Sequence, residues 1–275
     1  MYTSVAGFYM NRLEEEANFY NEVLKKFNND NIAVYKFFEA ITAIENKYIL
    51  TRMGGLCGKR ILDFGCGTGE SSVYFASKGA KVIGLDVSQE ALKIAQSKAL
   101  KNSVSIDFIL SKTESLTEFE NNSFDFIYGH GALHHIDCSR YYPEFKRILS
   151  PQGRAYFIEP LKYNPLIAIY RKIATEVRSP GEKPLGLREI KLANRYFKNI
   201  KISGFWFFAL YLFCHFYLIQ RSDPNKYPYW IKIIAEADSY KGMFTFLNRA
   251  DRLILKVLPP LKYLCWNVVI ELERG

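Results

Sequence analysis

The chain has few cysteines, and their spacing does not form a recognisable site. Its five cysteines are an odd number, lie far apart and include no Cys-x-x-Cys pair. This pattern excludes a disulfide framework and gives no support for a zinc site, so we expect no metal. A reducing compartment suits such a sequence best, and we expect a cytoplasmic protein.

The chain also lacks a segment long and apolar enough to span a bilayer. Its most apolar run, residues 204–219, has 16 residues and is interrupted by His215. A spanning helix needs about 20. We therefore interpret the first part of this run as a strand buried on both faces. The N-terminus lacks the basic segment, apolar core and cleavage site of a secretory signal, so we expect no export.

The length and charge of the chain limit its domain organisation and its binding partners only broadly. A chain of 275 residues with 49% hydrophobic residues is suited to one α/β domain with insertions. The formal net charge of +9 permits attraction to an anionic membrane, to nucleic acid or to an acidic substrate, and it is equally consistent with simple solvation.

Short apolar runs alternate with amphipathic stretches in the first 160 residues, which is typical of β-α units on a parallel sheet. No internal repeat or low-complexity tract is visible. Strands are predicted at residues 60–64, 81–85, 105–109, 124–128 and 154–158. Helices are predicted at residues 71–78, 89–98 and 141–149, the second capped by Ser88. Two further helices, residues 11–27 and 32–53, are expected to cover the sheet or the mouth of the site.

The pattern changes after the fifth strand. Residues 161–185 contain too many proline and glycine interruptions for an ordinary crossover helix, and a helix resumes over residues 187–197. A sixth strand is predicted at residues 200–207 and a last, antiparallel strand at residues 265–272. We thus divide one domain into an N-terminal helical cover, a core, two insertions and a last strand, at residues 1–56, 57–160, 161–186, 208–262 and 263–275.

A glycine-rich loop follows the first predicted strand, in the segment ILDFGCGTGESS at residues 61–72. Glycines let a backbone turn tightly against a ligand, and dinucleotide-binding proteins hold a pyrophosphate on such loops. Asp63, however, lies two residues before the first glycine and would repel a pyrophosphate. It suits a cofactor that carries an ammonium group and a sulfonium cation.

Asp86 ends the second predicted strand, about 20 residues beyond the glycine loop, where a carboxylate accepts hydrogen bonds from both hydroxyls of a ribose. The alternative is that Asp86 only caps the following helix.

Together with NSFDFIYGHGALHHID and EFKRILSPQGRAYFIEP, these segments span residues 59–160 and resemble the small-molecule, type 11-like branch of class I S-adenosylmethionine-dependent methyltransferases. The resemblance implies a Rossmann-like, seven-stranded, mostly parallel sheet with an antiparallel last strand, and S-adenosylmethionine as cofactor. The implied cofactor-binding residues are Asp63, Gly65, Cys66, Gly67, Gly69, Asp86, Val87, Gly129 and His130.

The third strand departs from the pattern of that family. Such proteins often place an aspartate and a small residue after it to hold the adenine amino group, whereas this chain reads Ser-Lys-Thr-Glu at residues 111–114. Thr113, Glu114 or backbone amides are the candidate adenine contacts.

Three of the four histidines lie within residues 129–135, at the edge of the sheet where open α/β folds bind ligands. We predict His134, and after it His135, as a base that removes a proton from the methyl acceptor. The alternative is that each histidine caps a helix or packs on the cofactor, since methyl transfer needs little beyond alignment. Glu159 is predicted to orient a histidine, to bind a substrate ammonium group or to be structural.

The two insertions carry the predicted substrate contacts. In the first, these are Tyr170, Arg171 and Arg178. In the second, the aromatic and aliphatic residues 227–234 and 253–258 suit a lid over an apolar substrate, a surface that rests on a membrane, or simple packing onto the sheet.

The predicted function is methyl transfer from S-adenosylmethionine to an O, N or C nucleophile of a hydrophobic small molecule, such as a specialised metabolite, a quinone or a lipid-like compound. The alternatives are methylation of a protein or RNA, and a noncatalytic cofactor-binding partner protein. We expect no specific nucleic acid partner, and peripheral membrane contact is the second possibility for location.

Overall fold

The computed structural model describes residues 2–26, 32–113, 115–179 and 182–275, and its centre is one seven-stranded sheet. The strand order is β3-β2-β1-β4-β5-β7-β6, with β7 antiparallel to both of its neighbours and the other pairs parallel. This confirms the predicted fold class. The strands are β1 Arg60–Phe64, β2 Lys81–Asp86, β3 Asp107–Leu110, β4 Phe124–His130, β5 Leu149–Pro160, β6 Asn199–Phe205 and β7 Asn267–Glu273.

Helices cover both faces of the sheet and are also present in both insertions. Ser88 caps α5 as predicted, its hydroxyl accepting a hydrogen bond from the Ala91 amide at 3.0 Å. The helices are α1 Tyr2–Lys26, α2 Lys36–Glu39, α3 Ile44–Met53, α4 Glu70–Ser77, α5 Gln89–Lys101, α6 Cys138–Ile148, α7 Pro165–Ile173, α8 Leu187–Leu192, α9 Tyr211–Cys214, α10 Tyr229–Ala235 and α11 Lys241–Val257.

Three groups of buried apolar side chains hold these layers together. One packs α6 and α8 against the sheet around Phe145 and Phe157, and a second packs α2, α3 and α4 around Phe75 and Tyr128. The third holds the second insertion around Trp206. The second insertion therefore has a core of its own, which continues into the α2–α3 connection through Ala43.

The predicted single helix over residues 32–53 is wrong, because α2 ends at Glu39 and α3 begins at Ile44. Between them, the Thr42 hydroxyl donates a hydrogen bond to the carbonyl of Ile233 in α10 at 2.8 Å. The break between the two helices is therefore held by a segment almost 200 residues away. The local periodicity of the sequence does not indicate such a contact.

The prediction that the sixth strand is buried on both faces is also wrong. β6 lies at the edge of the sheet, and each of its seven residues is at least partly exposed. The apolar run instead fills the third core group beyond the strand, beginning at Trp206 and continuing through Leu212 and Phe216. Among the described residues, no helix has both the length and the apolarity needed to cross a bilayer.

Gly69 provides a test of how the glycine loop joins the helical layer. Its φ is +83°, and a Cβ at this position would lie 2.7 Å from the Cβ of Ala95 in α5. We expect Gly69→Ala to lower the free energy of unfolding by about 2 kcal/mol or more, because it adds both backbone strain and overpacking. Urea denaturation measures this change.

The matched control is Gly242→Ala near the start of α11, where a Cβ meets nothing within 4 Å. This change should leave stability unchanged or raise it by up to about 1 kcal/mol. Equal midpoints for the two variants would contradict the assigned role of Gly69.

Candidate active site

A cavity of about 490 Å³ lies at the carboxyl ends of the parallel strands. Its walls come from the glycine loop, from the ends of β2 and β4, from α1 and α3, and from both insertions. The α1 residues that line it are Leu13, Glu16, Tyr20, Val23 and Leu24. Their spacing places them on one face of that helix, so α1 covers the cavity.

The glycine loop forms one end of the cavity. Gly65 and Gly67 have φ of +70° and +51°, and both line the cavity together with Cys66. The loop is held by the Leu85 carbonyl, which accepts hydrogen bonds from the amides of Gly65 and Cys66 at 2.8 and 3.0 Å. Gly69 is not among the lining residues and packs closely against Ala95 of α5, so its predicted contact with a cofactor stays a prediction.

Asp63 lies beneath this loop and is buried. One of its carboxylate oxygens accepts hydrogen bonds from the hydroxyls of Ser71 and Ser72, at 2.7 and 2.5 Å. Burial raises the pKa of Asp63 to about 6. Ser71 lines the cavity and Asp63 does not, so the predicted contact of Asp63 with a ligand ammonium group stays a prediction.

Asp86 lines the cavity at the end of β2, next to Val87. Its two oxygens accept hydrogen bonds from the amides of Gly67 and Ser88, each at 2.8 Å, and burial raises its pKa. Ser88, and not Asp86, caps α5, so the alternative of a simple cap is wrong. Each carboxylate oxygen keeps a further lone pair for a ligand hydroxyl.

The residues after β3 are placed differently from the prediction. Ser111 lines the cavity, whereas Thr113 is exposed and does not. Glu114 lies outside the described residues. Of the described residues in this segment, Ser111 is therefore the side chain that the structure brings to the cavity.

Glu159 is fully buried at the end of β5 and organises the chain that follows β4. Its Oε1 accepts hydrogen bonds from the amides of Ala132 and Leu133 at 2.9 and 2.7 Å, and its Oε2 lies 2.6 Å from Nδ1 of His134. Of the three predicted roles of Glu159, this contact supports the orientation of a histidine. Gly129 packs under Phe157, whose Cδ1 would lie 2.7 Å from an added Cβ, and its predicted contact with the cofactor stays a prediction.

His134 lies between two carboxylates, those of Glu159 and Glu182. Its second ring nitrogen, Nε2, lies 3.1 Å from Oε1 of Glu182. Burial by itself would lower the pKa of His134, but the charges of Glu159 and Glu182 outweigh burial and raise the pKa to about 9. Both ring nitrogens face carboxylate oxygens, which favours the doubly protonated ring, and that ring has no lone pair to offer. This arrangement weighs against the predicted role of His134 as a base, which stays a prediction.

The other two histidines of the cluster have different surroundings. His135 lies against α1, with its Nδ1 3.1 Å from Glu16 and its Nε2 3.2 Å from the Tyr20 hydroxyl. His130 ends β4 and lines the cavity, where it is exposed, and its ring makes no hydrogen bond to any described residue. Desolvation by the surrounding protein and the positive charge of His134 lower its pKa below the usual 6.5, against the opposing charge of Glu159.

The first insertion brings all three of its predicted substrate residues, Tyr170, Arg171 and Arg178, to the cavity wall. Sequence reasoning missed Glu182, whose Oε1 lies 3.0 Å from Nη1 of Arg171 and pairs with Arg178. It also missed the α1 residue Glu16. The periodicity of α1 was a usable signal for Glu16, whereas nothing in the local sequence marks Glu182.

The opposite end of the cavity is aromatic. All three tryptophans of the chain, Trp206, Trp230 and Trp266, line it. Beside them is the buried carboxyl of Glu45, which accepts a hydrogen bond from Asn267 at 2.9 Å and whose pKa burial raises. Over the described ranges, no cluster of His, Cys, Asp and Glu side chains is arranged to bind a metal ion.

Residues 62–157 match a family model described as a methyltransferase domain. Over 124 residues, the chain is 31% identical to the ubiquinone biosynthesis O-methyltransferase of Vibrio cholerae, covering 45% of this chain and 51% of that protein. The corresponding protein of Bordetella parapertussis is 30% identical over 142 residues, which are 52% of this chain and 59% of the relative. The chain thus spans about half the length of these curated relatives.

Solved structures share the fold at low sequence identity. The phosphoethanolamine N-methyltransferase 2 of Haemonchus contortus, in complex with S-adenosyl-L-methionine, has a TM-score of 0.56 and 20% identity, covering 93% of this chain and 60% of that chain. The geranyl diphosphate C-methyltransferase of Streptomyces coelicolor has a TM-score of 0.52 and 13% identity, with coverages of 85% and 76%.

The different states of His130 and His134 are directly measurable. We expect the His134 ring to titrate near pH 9 and the His130 ring below pH 6.5, in NMR spectra assigned with His130→Asn and His134→Asn. Glu159→Gln should lower the pKa of His134, because it removes one of the two negative charges that favour the protonated ring. Similar titrations of His130 and His134 would contradict this account.

Proposed function

We propose that the chain is a class I S-adenosylmethionine-dependent methyltransferase and that it methylates an O, N or C nucleophile of a hydrophobic small molecule. One observation carries this proposal: a single cavity joins the glycine loop and Asp86 at one end to a wall that contains all three tryptophans at the other. The curated relatives named for ubiquinone biosynthesis support a quinone-like or lipid-like acceptor.

The cofactor end of the cavity fits S-adenosylmethionine. Space is open above Gly67, where an added Cβ would meet nothing within 4 Å, so a ligand can approach the backbone closely. Asp86 has lone pairs free for the ribose hydroxyls, and Ser71 and Ser111 provide further polar contacts. When bound, the cofactor supplies a methyl group on a positively charged sulfur.

The acceptor end of the cavity binds by burial of apolar surface. Trp206, Trp266 and Ile233 line this wall, and Trp230 and Ile231 continue it. Such a wall favours the apolar body of an acceptor and excludes water from the reacting atoms. The second insertion therefore selects a hydrophobic acceptor and aligns its nucleophile with the methyl group.

We assign the proton-accepting role to His130. A nucleophile that carries a proton must lose it during or after attack, and a base needs an unprotonated nitrogen within reach. His130 faces the cavity as a neutral ring without a hydrogen-bond partner in the described chain. His134 and Glu159 position the segment after β4, and His135 joins that segment to α1.

The exposed face of α11 supports a peripheral contact with an anionic membrane. Phe246, Leu253 and Val257 are 72%, 69% and 72% exposed and share this face with the exposed Arg249 and Lys256. Apolar side chains that alternate with basic ones suit the interface of an anionic bilayer. An acceptor dissolved in the membrane would then reach the cavity through the second insertion.

Calorimetric titration with S-adenosylhomocysteine tests the cofactor site. We expect the wild type to bind, and Asp86→Ala to weaken binding by about 10- to 100-fold, because two charge-assisted hydrogen bonds to the ribose are lost. Asp86→Asn, which keeps one acceptor oxygen, should lie between them. The exposed Asp107 provides the control Asp107→Ala, which should bind like the wild type. Absence of binding by the wild type would refute the proposed function.

Sedimentation with vesicles tests the membrane contact. We expect binding to vesicles that contain about 30% phosphatidylglycerol and little binding to pure phosphatidylcholine. The double variant Phe246→Ala, Leu253→Ala should lose most of this binding, whereas Leu100→Ala should not, although Leu100 on α5 is 79% exposed. Equal loss in both variants would show that the α11 face has no special part.

A further inference from the structure

We propose that Arg171, Arg178 and His134 form a binding site for an anionic group of the acceptor, and that the carboxylate of Glu182 occupies this site in the structure. This inference rests on the proposed function and narrows its acceptor to an amphiphile: an apolar body that carries a carboxylate or a phosphate.

The geometry of the cluster is the first argument. Three cationic groups converge on one oxygen, because Oε1 of Glu182 lies 3.1 Å from Nε2 of His134 and 3.0 Å from Nη1 of Arg171 and also pairs with Nη2 of Arg178. All four side chains line the cavity. A ligand in this cavity therefore meets three positive groups that two carboxylates, Glu182 and Glu159, neutralise in part.

The quality of these contacts is the second argument. Within the described chain, Nη1 of Arg171 and Nη2 of Arg178 are buried and make no hydrogen bond of acceptable geometry, although each forms an ion pair with Glu182. Guanidinium groups bind carboxylates and phosphates best through two parallel hydrogen bonds. A single shared oxygen does not provide that arrangement, whereas an incoming group with two or three free oxygens does.

The third argument is which parts of the fold carry the charged side chains. Two of the three cations have firm supports, since Arg171 belongs to α7 and Glu159 holds His134 at 2.6 Å. Arg178 and Glu182 lie instead in the connection between α7 and α8, where the Glu182 amide donates a hydrogen bond to the Ser179 carbonyl at 3.1 Å. Two of the positive groups therefore belong to the fixed part of the fold, whereas the carboxylate that faces them is on a connecting segment, where an acceptor anion can replace it.

The surroundings of the cluster indicate what is attached to the anion. Tyr170 precedes Arg171 in α7, and its ring lies 5.2 Å from that of Phe213 and 5.3 Å from that of Tyr229. These rings belong to the apolar packing of the second insertion. The cavity thus passes from positive charge to aromatic surface, which fits a molecule with an anionic head and an apolar body.

Three probes that share one apolar body test the proposal: 4-octylbenzoate, 4-octylphenyl phosphate and the neutral 4-octylbenzyl alcohol. Because all three tryptophans line the cavity, intrinsic fluorescence reports binding, measured with S-adenosylhomocysteine present. We expect at least one anionic probe to bind about 10-fold or more tightly than the alcohol. The stronger of the two anionic probes identifies the acceptor group as a carboxylate or a phosphate.

Variants connect that preference to the cluster. Arg171→Met with Arg178→Met should remove the preference and leave binding of the alcohol unchanged. Glu182→Gln should tighten binding of the anionic probe about fivefold or more, because a competing charge is removed. Arg188→Met, at an exposed arginine in α8 that does not line the cavity, is the control and should behave like the wild type.

Equal affinities for the charged and neutral probes would overturn the proposal, as would weaker anion binding by Glu182→Gln. A third outcome would also overturn it: the double arginine variant still binds the alcohol but loses affinity for S-adenosylhomocysteine. In that case the cluster would bind the carboxylate of the cofactor. Failure of the proposed function is recognised separately, since the wild type would then not bind S-adenosylhomocysteine.

Discussion

The candidate site depends on one fully buried carboxylate. Glu159 has no exposed surface, and a charge in that position is tolerated only when its oxygens are satisfied. The chain after β4 therefore turns back so that two amides and His134 reach Glu159. This requirement fixes the turn that joins β4 to α6, and with it the positions of the histidines. Removing the carboxylate would leave two buried amides without a partner and would leave His134 with Glu182 as its remaining carboxylate, so structure and site are supported by the same contacts.

The histidines near Glu159 make contacts with charged and polar groups from parts of the chain that are distant in sequence. His134 connects the turn to Glu182 of the first insertion, and through it to Arg171 and Arg178. His135 connects the same turn to Glu16 and Tyr20 of α1. Helix α1 and the first insertion are thus held to the sheet by polar contacts around Glu159 and its neighbouring histidines. The second insertion is held by apolar packing. A ligand that alters the charge near His134 therefore acts on the turn after β4, on α1 and on the first insertion at once.

Three histidines within six residues show how strongly surroundings decide chemistry. They have the same intrinsic pKa, yet the carboxylates on both sides of His134 raise its pKa, whereas the surrounding protein and the positive charge of His134 lower the pKa of His130. From residue type and position alone, the sequence predicted His130 at the cofactor and His134, then His135, as the base. Only the neighbours supplied by β5, α1 and the first insertion separate the proton-accepting role that we propose for His130 from the positioning role that we propose for His134.

The sequence by itself determined the core of the protein: the glycine loop, Asp86 at the cavity, the Ser88 cap, and the order of the strands along the chain. Except for the start of β5, it also gave the strand bounds to within two residues. These features follow from periods of a few residues and from local turn chemistry, which a single segment records in full. The tertiary structure alone decided the break between α2 and α3, the edge position of β6, the packing role of Gly69, the charge of His134 and the presence of Glu182 in the site. Each of these depends on a partner from a distant segment, as Thr42 depends on Ile233 and His134 on Glu182. Contacts of that kind arise only after the sheet has brought the segments together, so no local pattern contains them.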